Sequence, residues 1–309
     1  MPETLTLLLA VTLDLALGDP PNRLHPVAWL GAALDAGRRR LCRGPAWALL
    51  AGGAALTVAV AALAGAVGAG VSALAARLGP AGPALEAVAL ACLFSLRDLA
   101  RAAREVAGAL DAGDLEGARR AVARHLVSRP TGELDAGRVA SAAVESVAEN
   151  LTDSFVAPVC FYLAFGLAGA AAYRALNTAD AMLGYRAGAL EWFGKAAARL
   201  DDLANLVPAR LAGLGLVAGA ALAGEDAPRA LAALRRERRA TASPNAGWTM
   251  AAMAGALGVT LEKPGAYRLG RGPLPGPAEI ERALRVFGLG ALSSGAAALL
   301  LRGLATMFR

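Results

Sequence analysis

The chain has 309 residues, is 56% hydrophobic, and carries a net charge of +6 that comes almost entirely from arginine. Those arginines cluster between apolar segments, which excludes a nucleic-acid binder and favours a membrane protein with basic loops. Three scattered cysteines and two histidines form no metal-ligand spacing and no disulfide framework.

In chain order, residues 3–18 are apolar and contain Asp14, with no basic leading region and no convincing cleavage site. They predict a retained first span rather than a removed signal peptide, although a crossing needs about 20 residues. Asp14 is an intramembrane ionisable group and a functional candidate on that ground. Gly18-Asp-Pro-Pro-Asn-Arg-Leu-His25-Pro follows, and its prolines set a stiff turn presenting Asp19, Arg23 and His25. The stretch 47–76 carries no charge and is the clearest span, while 83–96 is marginal and has Glu86 near its start. Over 97–138, Leu96, Leu99, Ala103, Val106 and Leu110 recur at helical spacing, followed by a turn at Asp111–Asp114 and a second helix over 114–127.

Glu145, Glu149 and Asp153 stand four apart. On a helix each such step turns about 40°, so the three carboxylates share a face opposite Val139, Ala143, Val147 and Leu151. Solvated helix faces flanking a membrane are the plain alternative. A span over 155–173 follows, then Asn177 with Asp180 at i, i+3, and Asp201 with Asn205 at i, i+4 beside Asp202. Further spans fall at 206–223 and 287–307. Between them, Ser243-Pro-Asn-Ala-Gly-Trp248 reads as an N-cap with proline at the first helical position, opening a helix over 244–257. Its free N–H groups would suit a phosphate, with Asn245 assisting; a plainly capped helix start fits equally. No strand-like alternation of useful length and no internal repeat is evident.

The fold class predicted is all-α: a polytopic integral membrane helical protein of five or six spans, one domain over 1–309. Segment 97–153 is largely cytoplasmic and helical, and segment 224–286 largely cytoplasmic, because arginine-rich loops face inward. If 155–173 and 206–223 both cross fully, Asn177 to Asn205 would face outward. A re-entrant stretch, or one lining a cavity open to the cytoplasm, resolves that conflict. Packed together, the acidic groups suit one or two Mg²⁺ through hard oxygen ligands, with Arg129, Arg186, Lys195, Arg199 and Arg210 near to neutralise phosphoryl charge. No Walker A or kinase signature is present.

The stretches LDLALGDPPNRLHPVAWLG (13–31), AAVESVAENLTDSFVAP (142–158), YRALNTADAMLGYR (173–186), FGKAAARLDDLANLVPARLAGL (193–214) and SPNAGWTMAAMAGALGV (243–259) occur in the order seen in a known family. With them the chain resembles the CobD/CbiB family, the adenosylcobinamide-phosphate synthases of cobalamin biosynthesis. The resemblance implies a multi-pass enzyme of the cell (inner) membrane with a cytoplasmic active site. It would join a carboxylate of adenosylcobyric acid to (R)-1-aminopropan-2-ol or its O-phosphate, consuming Mg²⁺–ATP through an acyl-phosphate. The corrinoid is then a substrate. By motif, Glu145, Glu149, Asn150, Asp153, Asn177, Asp180, Asp201, Asp202 and Asn205 are implied for the nucleotide–metal centre. Asp14, Asp19, Arg23, His25, Lys195, Ser243 and Asn245 are candidates for substrate contact. No individual catalytic role is assigned.

The chain departs from the family pattern at Arg129-Pro130-Thr131, where Arg-Asp-Thr is common, and at Ala242, where a histidine is frequent. The stretch 187–191 is also plainer than the family's charged form. Which amine is preferred therefore stays open. A Mg²⁺-dependent intramembrane phosphotransferase or prenyltransferase is the competing enzyme class, but the full spacing of either signature is absent. A transporter would predict inverted repeats, which are not found. Small-residue helix faces allow a homo-oligomer.

Overall fold

A computed structural model describes residues 2–307. Its helices are α1 (Pro2–Leu17), α2 (Pro26–Leu41), α3 (Ala46–Arg77), α4 (Gly82–Ala91), α5 (Leu96–Asp111), α6 (Leu115–His125), α7 (Ala136–Leu151), α8 (Ala157–Leu183), α9 (Leu190–Phe193), α10 (Lys195–Ala204), α11 (Leu206–Leu222), α12 (Ala227–Glu237) and α13 (Ala246–Leu257). Two short strands, β1 (Thr260–Lys263) and β2 (Tyr267–Gly270), precede α14 (Pro277–Met307). The all-α polytopic expectation holds.

Four stretches are long and apolar enough to cross a bilayer: Ala46–Arg77, Gly79–Asp111, Ala136–Leu183 and Pro277–Met307. A fifth is reached if α9–α10 and α11, bent by 53° at a short break, count as one broken span. A bend of this kind marks either a broken span or a re-entrant loop. The expected first span corresponds to α1, which at 16 residues is too short to count among the crossing stretches.

The chain divides into two compact units. The first comprises the stretch up to Ser95, Ala157–Asn205 and the chain end from Leu304; the second comprises Leu96–Val156 and Leu206–Gly303.

In the first unit α3 packs along α8, and α1 along α4. The α3 sequence lets backbones approach, as small-residue helix faces do in lipid. A Cβ on Gly53 would fall 1.7 Å from the Phe193 carbonyl oxygen, and one on Gly68 2.7 Å from that of Leu167. Leu34, Leu56, Val60, Ala179, Leu183 and Phe193 fill the core between these helices. Glu86, the one acid in α4, accepts hydrogen bonds from Ser72 of α3 and from the Tyr162 hydroxyl of α8 at 3.4 Å. Helix α8 breaks at Gly166, whose φ of 67° only glycine adopts without cost.

In the second unit α5 and α6 form a helical hairpin, with Asp114 capping α6 through the Gly117 N–H. Helix α12 lies on α13, where a Cβ on Gly255 would meet the Arg229 carbonyl at 2.6 Å. The strands pair antiparallel, Thr260 opposite Gly270 and Lys263 opposite Tyr267, and β1 packs on α7. Four-residue strands are too short to show alternation in the sequence, which is why none of useful length was evident. Between α7 and α8 lies a π-helical turn, Thr152–Val156. It changes the helical register after Leu151, so Asp153 does not continue the α-helical face of Glu145 and Glu149 as the spacing predicts.

Candidate functional site

The implied site residues are shared between the units. Asp14, Asp19, Arg23, His25, Asn177, Asp180, Lys195, Asp201, Asp202 and Asn205 belong to the first; Glu145, Glu149, Asn150, Asp153, Ser243 and Asn245 belong to the second.

In the first unit, the C-terminal turns of α8 and helix α10 bring Asn177, Asp201 and Asn205 together. Asp201 is buried and accepts hydrogen bonds from Asn177 Nδ2 at 3.3 Å and Asn205 Nδ2 at 3.0 Å. The Tyr173 hydroxyl donates to Asn205 Oδ1 at 2.9 Å. A buried carboxylate held this way fixes the geometry around it. Asp202, one residue on, instead lines a pocket of about 240 Å³ with Tyr185, Arg186, Glu191, Lys195 and Arg199. Its carboxylate lies 3.9 Å from Arg199, and Lys195 lies 3.3 Å from Glu191 and 4.0 Å above the Trp192 ring. Adjacent aspartates thus take different parts, one inside the network and one facing the cavity. Asp180 sits at the end of α8, where its side chain fills the space a Cβ on Gly184 would need.

His25 does not present a free imidazole. Its Nδ1 accepts the Val27 N–H at 3.1 Å as the N-cap of α2, and its Nε2 lies 3.6 Å from Asp19. Asp19 also accepts from Ser95 Oγ at 3.0 Å. With both ring nitrogens engaged, His25 orients the turn and Asp19, half-buried, is the group it holds. Arg23 contributes its carbonyl to the Trp29 indole N–H at 3.0 Å. Asp14 is buried within α1.

In the second unit a polar pocket of about 170 Å³ opens between α7, the loop after α6 and the strand hairpin, lined by Arg129, Glu145, Ser146, Glu149, Asn150, Lys263 and Tyr267 among others. Glu145 is buried and accepts from Ser141 Oγ and the Tyr267 hydroxyl, each at 2.7 Å, with Arg129 3.6 Å away. Burial, reinforced by the neighbouring Glu145 charge, pushes the Tyr267 phenol far above its ordinary pKa. Glu149 is exposed on the same helix. Asn150 donates to the Ser146 carbonyl at 2.9 Å. Tyr267, Lys263 and Ser141 were not legible as site residues: β2 has no periodicity, and a lone tyrosine beside a glycine turn carries no chemical signature.

The expected Ser243 N-cap is corrected. Helix α13 begins at Ala246, and Ser243 Oγ accepts the Asn245 N–H at 3.2 Å while Thr241 Oγ accepts the Gly247 N–H at 3.1 Å. The proline thus sits in the turn before the helix. Asn245 Oδ1 accepts from Arg210 at 2.7 Å, and Arg210 and Arg238 lie 4.9 Å and 5.3 Å from the Trp248 ring. Two guanidiniums therefore gather at this turn.

Among the described residues no three His, Cys, Asp or Glu side chains converge at metal-binding distance.

A family profile described as CobD/Cbib protein matches residues 7–287. A relative from Methanothermobacter thermautotrophicus named "Probable cobalamin biosynthesis protein CobD" is 43% identical over 270 residues, 87% of this chain and 88% of its own. One of the same name from Methanocaldococcus jannaschii is 36% identical over 291 residues, 93% of each chain. The "Cobalamin biosynthesis protein CobD" of Rhodobacter capsulatus is 40% identical over 302 residues, 91% of each. No solved structure matches the chain.

Proposed function

The chain belongs to the CobD/CbiB family of cobalamin biosynthesis, and from that premise we propose that it is an ATP-dependent ligase. It joins a carboxylate of adenosylcobyric acid to the nitrogen of (R)-1-aminopropan-2-ol or its O-phosphate. A carboxylate does not condense with an amine unaided in water, so its oxygen must first be made a leaving group. In the step proposed, a carboxylate oxygen attacks the γ-phosphorus of ATP and ADP leaves. The amine nitrogen then attacks the acyl carbon, inorganic phosphate leaves, and the nitrogen loses a proton. The product is an amide.

The observation that carries this reading is the pocket of Asp202, in which the carboxylates of Asp202 and Glu191 stand among Arg186, Lys195 and Arg199. Such a set suits phosphoryl oxygens, because cations neutralise charge that spreads over them in the transition state. Mg²⁺ carried on a nucleotide takes one or two carboxylates and completes its shell with phosphates and water. Asp202 would hold it, and bound there it would screen the triphosphate charge. Asp201, through Asn177 and Asn205, positions Asp202 rather than touching substrate. Arg210 and Asn245 offer a second anion-binding turn. The arginine-rich loops support a cytoplasmic location for this chemistry.

The test is mass spectrometry of purified protein incubated with adenosylcobyric acid, the free or phosphorylated amine, and Mg²⁺–ATP. A product heavier by the amine minus water, with ADP released in equal amount, supports the proposal. Folded protein yielding neither would move the reading to the phosphotransferase class.

A further inference from the structure

An apolar cavity of about 380 Å³ lies within the first unit, walled by α2, α3, α4 and α8, and the ligation chemistry makes no use of it. Trp29 and Ala33 of α2, Val60 and Val71 of α3, Ala89 of α4 and Leu167 of α8 mark its extent. The one polar group among its lining side chains is the Trp29 indole N–H, which is already given to the Arg23 carbonyl at 3.0 Å. A nucleotide, an amine or the amides of a corrinoid would exchange water there for no partner. Water gains nothing either, because apolar cavities of this kind stay dry. Hydrocarbon is the class of ligand that fits, since it restores the dispersion contacts that an empty gap forfeits.

The cavity opens outward. Leu63 and Val67, on its α3 wall, are 62% and 59% exposed. Both belong to the stretch Ala46–Arg77, which is long and apolar enough to cross a bilayer. The mouth is therefore continuous with the surface that lipid covers. From Val60 to Val71 is eleven residues of α3, or about 16 Å of helix. One leaflet of a hydrocarbon core about 30 Å thick is about 15 Å deep, so the cavity has the length of an acyl chain from a single leaflet.

Its two ends differ in charge. Helix α2 runs antiparallel to α3, because a Cβ on Gly37 would meet Leu56 and one on Gly52 the Leu41 carbonyl. Ala33 is thus level with Val60, and the turn before α2 lies at the Val71 end. Arg23 is exposed on that turn, and Arg77 is the first charge after the apolar run that holds Val71. Asp19, the acid of the same turn, is engaged by His25 and by Ser95. Cations at the end of an apolar slot complement the phosphate of a lipid headgroup. Trp29 stands beside the mouth, as aromatic side chains do where a membrane meets water.

We propose that this cavity binds one acyl chain of a membrane phospholipid, whose phosphate is held by Arg23 at the turn. Helix α2 rests on the chain through Trp29 and Ala33, so the bound lipid steadies the helix whose N-cap, His25, orients Asp19. The site is independent of the ligation chemistry.

The experiment is native mass spectrometry and thermal melting of the full-length protein, delipidated in detergent and titrated with dioleoyl phosphatidylglycerol. Glycerophosphoglycerol and inorganic phosphate serve as headgroup-only probes, and dioleoylglycerol as a chain-only probe. Wild type should retain one phospholipid per chain and melt at a higher temperature with it. The headgroup-only probes should not compete. Ala33→Phe places a ring in the cavity from an exposed position. It should weaken retention about tenfold, the value of about two buried methylenes, and melt no lower than delipidated wild type. Ala89→Leu fills the cavity from α4 and should do the same, which keeps the test decisive if the first variant misfolds. Arg23→Gln should weaken phosphatidylglycerol about tenfold, the value of one charge-assisted hydrogen bond, and leave dioleoylglycerol unchanged. A wild type that retains no lipid, undiminished retention in the folded filling variants, or competition by a headgroup-only probe would overturn the assignment. So would a filling variant that splits a dimer without losing lipid, since the cavity would then belong to a second copy of the chain.

Discussion

Exchanging Asp201 and Asp202 one at a time for asparagine separates a carboxylate that holds the fold from one that meets substrate. Asp201 accepts two side-chain amide hydrogen bonds in a buried setting, at 3.0 Å and 3.3 Å. An asparagine there can turn its oxygen to only one of the two donors, and its own N–H₂ then faces the other. One bond to a charged acceptor is lost, at about 1.5–3 kcal/mol. Asp202 makes an ion pair at 3.9 Å with an arginine side chain that is 71% exposed, and such surface pairs contribute about 0–1 kcal/mol. Asp201→Asn should therefore lower the thermal midpoint in detergent measurably, and Asp202→Asn should leave it close to wild type. Turnover should show the reverse emphasis. Loss of a preorganised group at a phosphoryl centre costs about 10²–10³-fold in kcat, so Asp202→Asn should be nearly inactive while folded. The assay pairs a melting curve with ADP release across a Mg²⁺ titration. Full turnover in Asp202→Asn would refute the reasoning, as would a destabilisation equal to that of Asp201→Asn.

Gly53→Ala should destabilise the first unit by about 1–3 kcal/mol or more, because its Cβ falls 1.7 Å from a backbone oxygen that cannot move aside; an unchanged melting curve would contradict the packing. Tyr267 should ionise well above the ordinary tyrosine range, because burial and the Glu145 charge disfavour its phenolate. A pKa raised on folding contributes stability present below the unfolded value and lost as pH rises above it. Tyr267→Phe should therefore remove one late step from the ultraviolet phenolate titration. Arg282, hydrogen-bonded to Glu225, holds that carboxyl below its usual value. The associated stability is present above the unfolded carboxylate range and is lost as pH falls through the lowered one. Glu225→Gln should accordingly lower stability near pH 7 and flatten the acid limb of the profile, so that variant and wild type converge at low pH.

Much of the helical order was legible because apolar runs such as 47–76 have no competing interpretation at that length. The polar turns were legible as places and less so as geometries. Ser243-Pro-Asn carried a capping signal, yet α13 opens at Ala246 and Thr241 supplies the hydroxyl, because an N-cap motif does not encode which nearby oxygen reaches the N–H. The face shared by Glu145 and Glu149 follows from a regular helix, whereas Asp153 departs from it at a π turn, which leaves no mark in residue spacing. His25 caps α2 through its Nδ1, which the sequence does not show, because composition cannot distinguish an imidazole aimed outward from one turned onto the backbone. Tyr267 went unread for a different reason. Its role depends on a contact with Glu145, 122 positions away in sequence, and no local pattern records such a pairing.

The central claim is that ATP activates the corrinoid carboxylate as an acyl-phosphate. Adenosylcobyric acid labelled with ¹⁸O in the reacting carboxylate tests it directly. The account predicts one ¹⁸O atom in the inorganic phosphate for each amide formed, with ADP as the nucleotide product. Label appearing in AMP, or amide formed with none of it in phosphate, would contradict it.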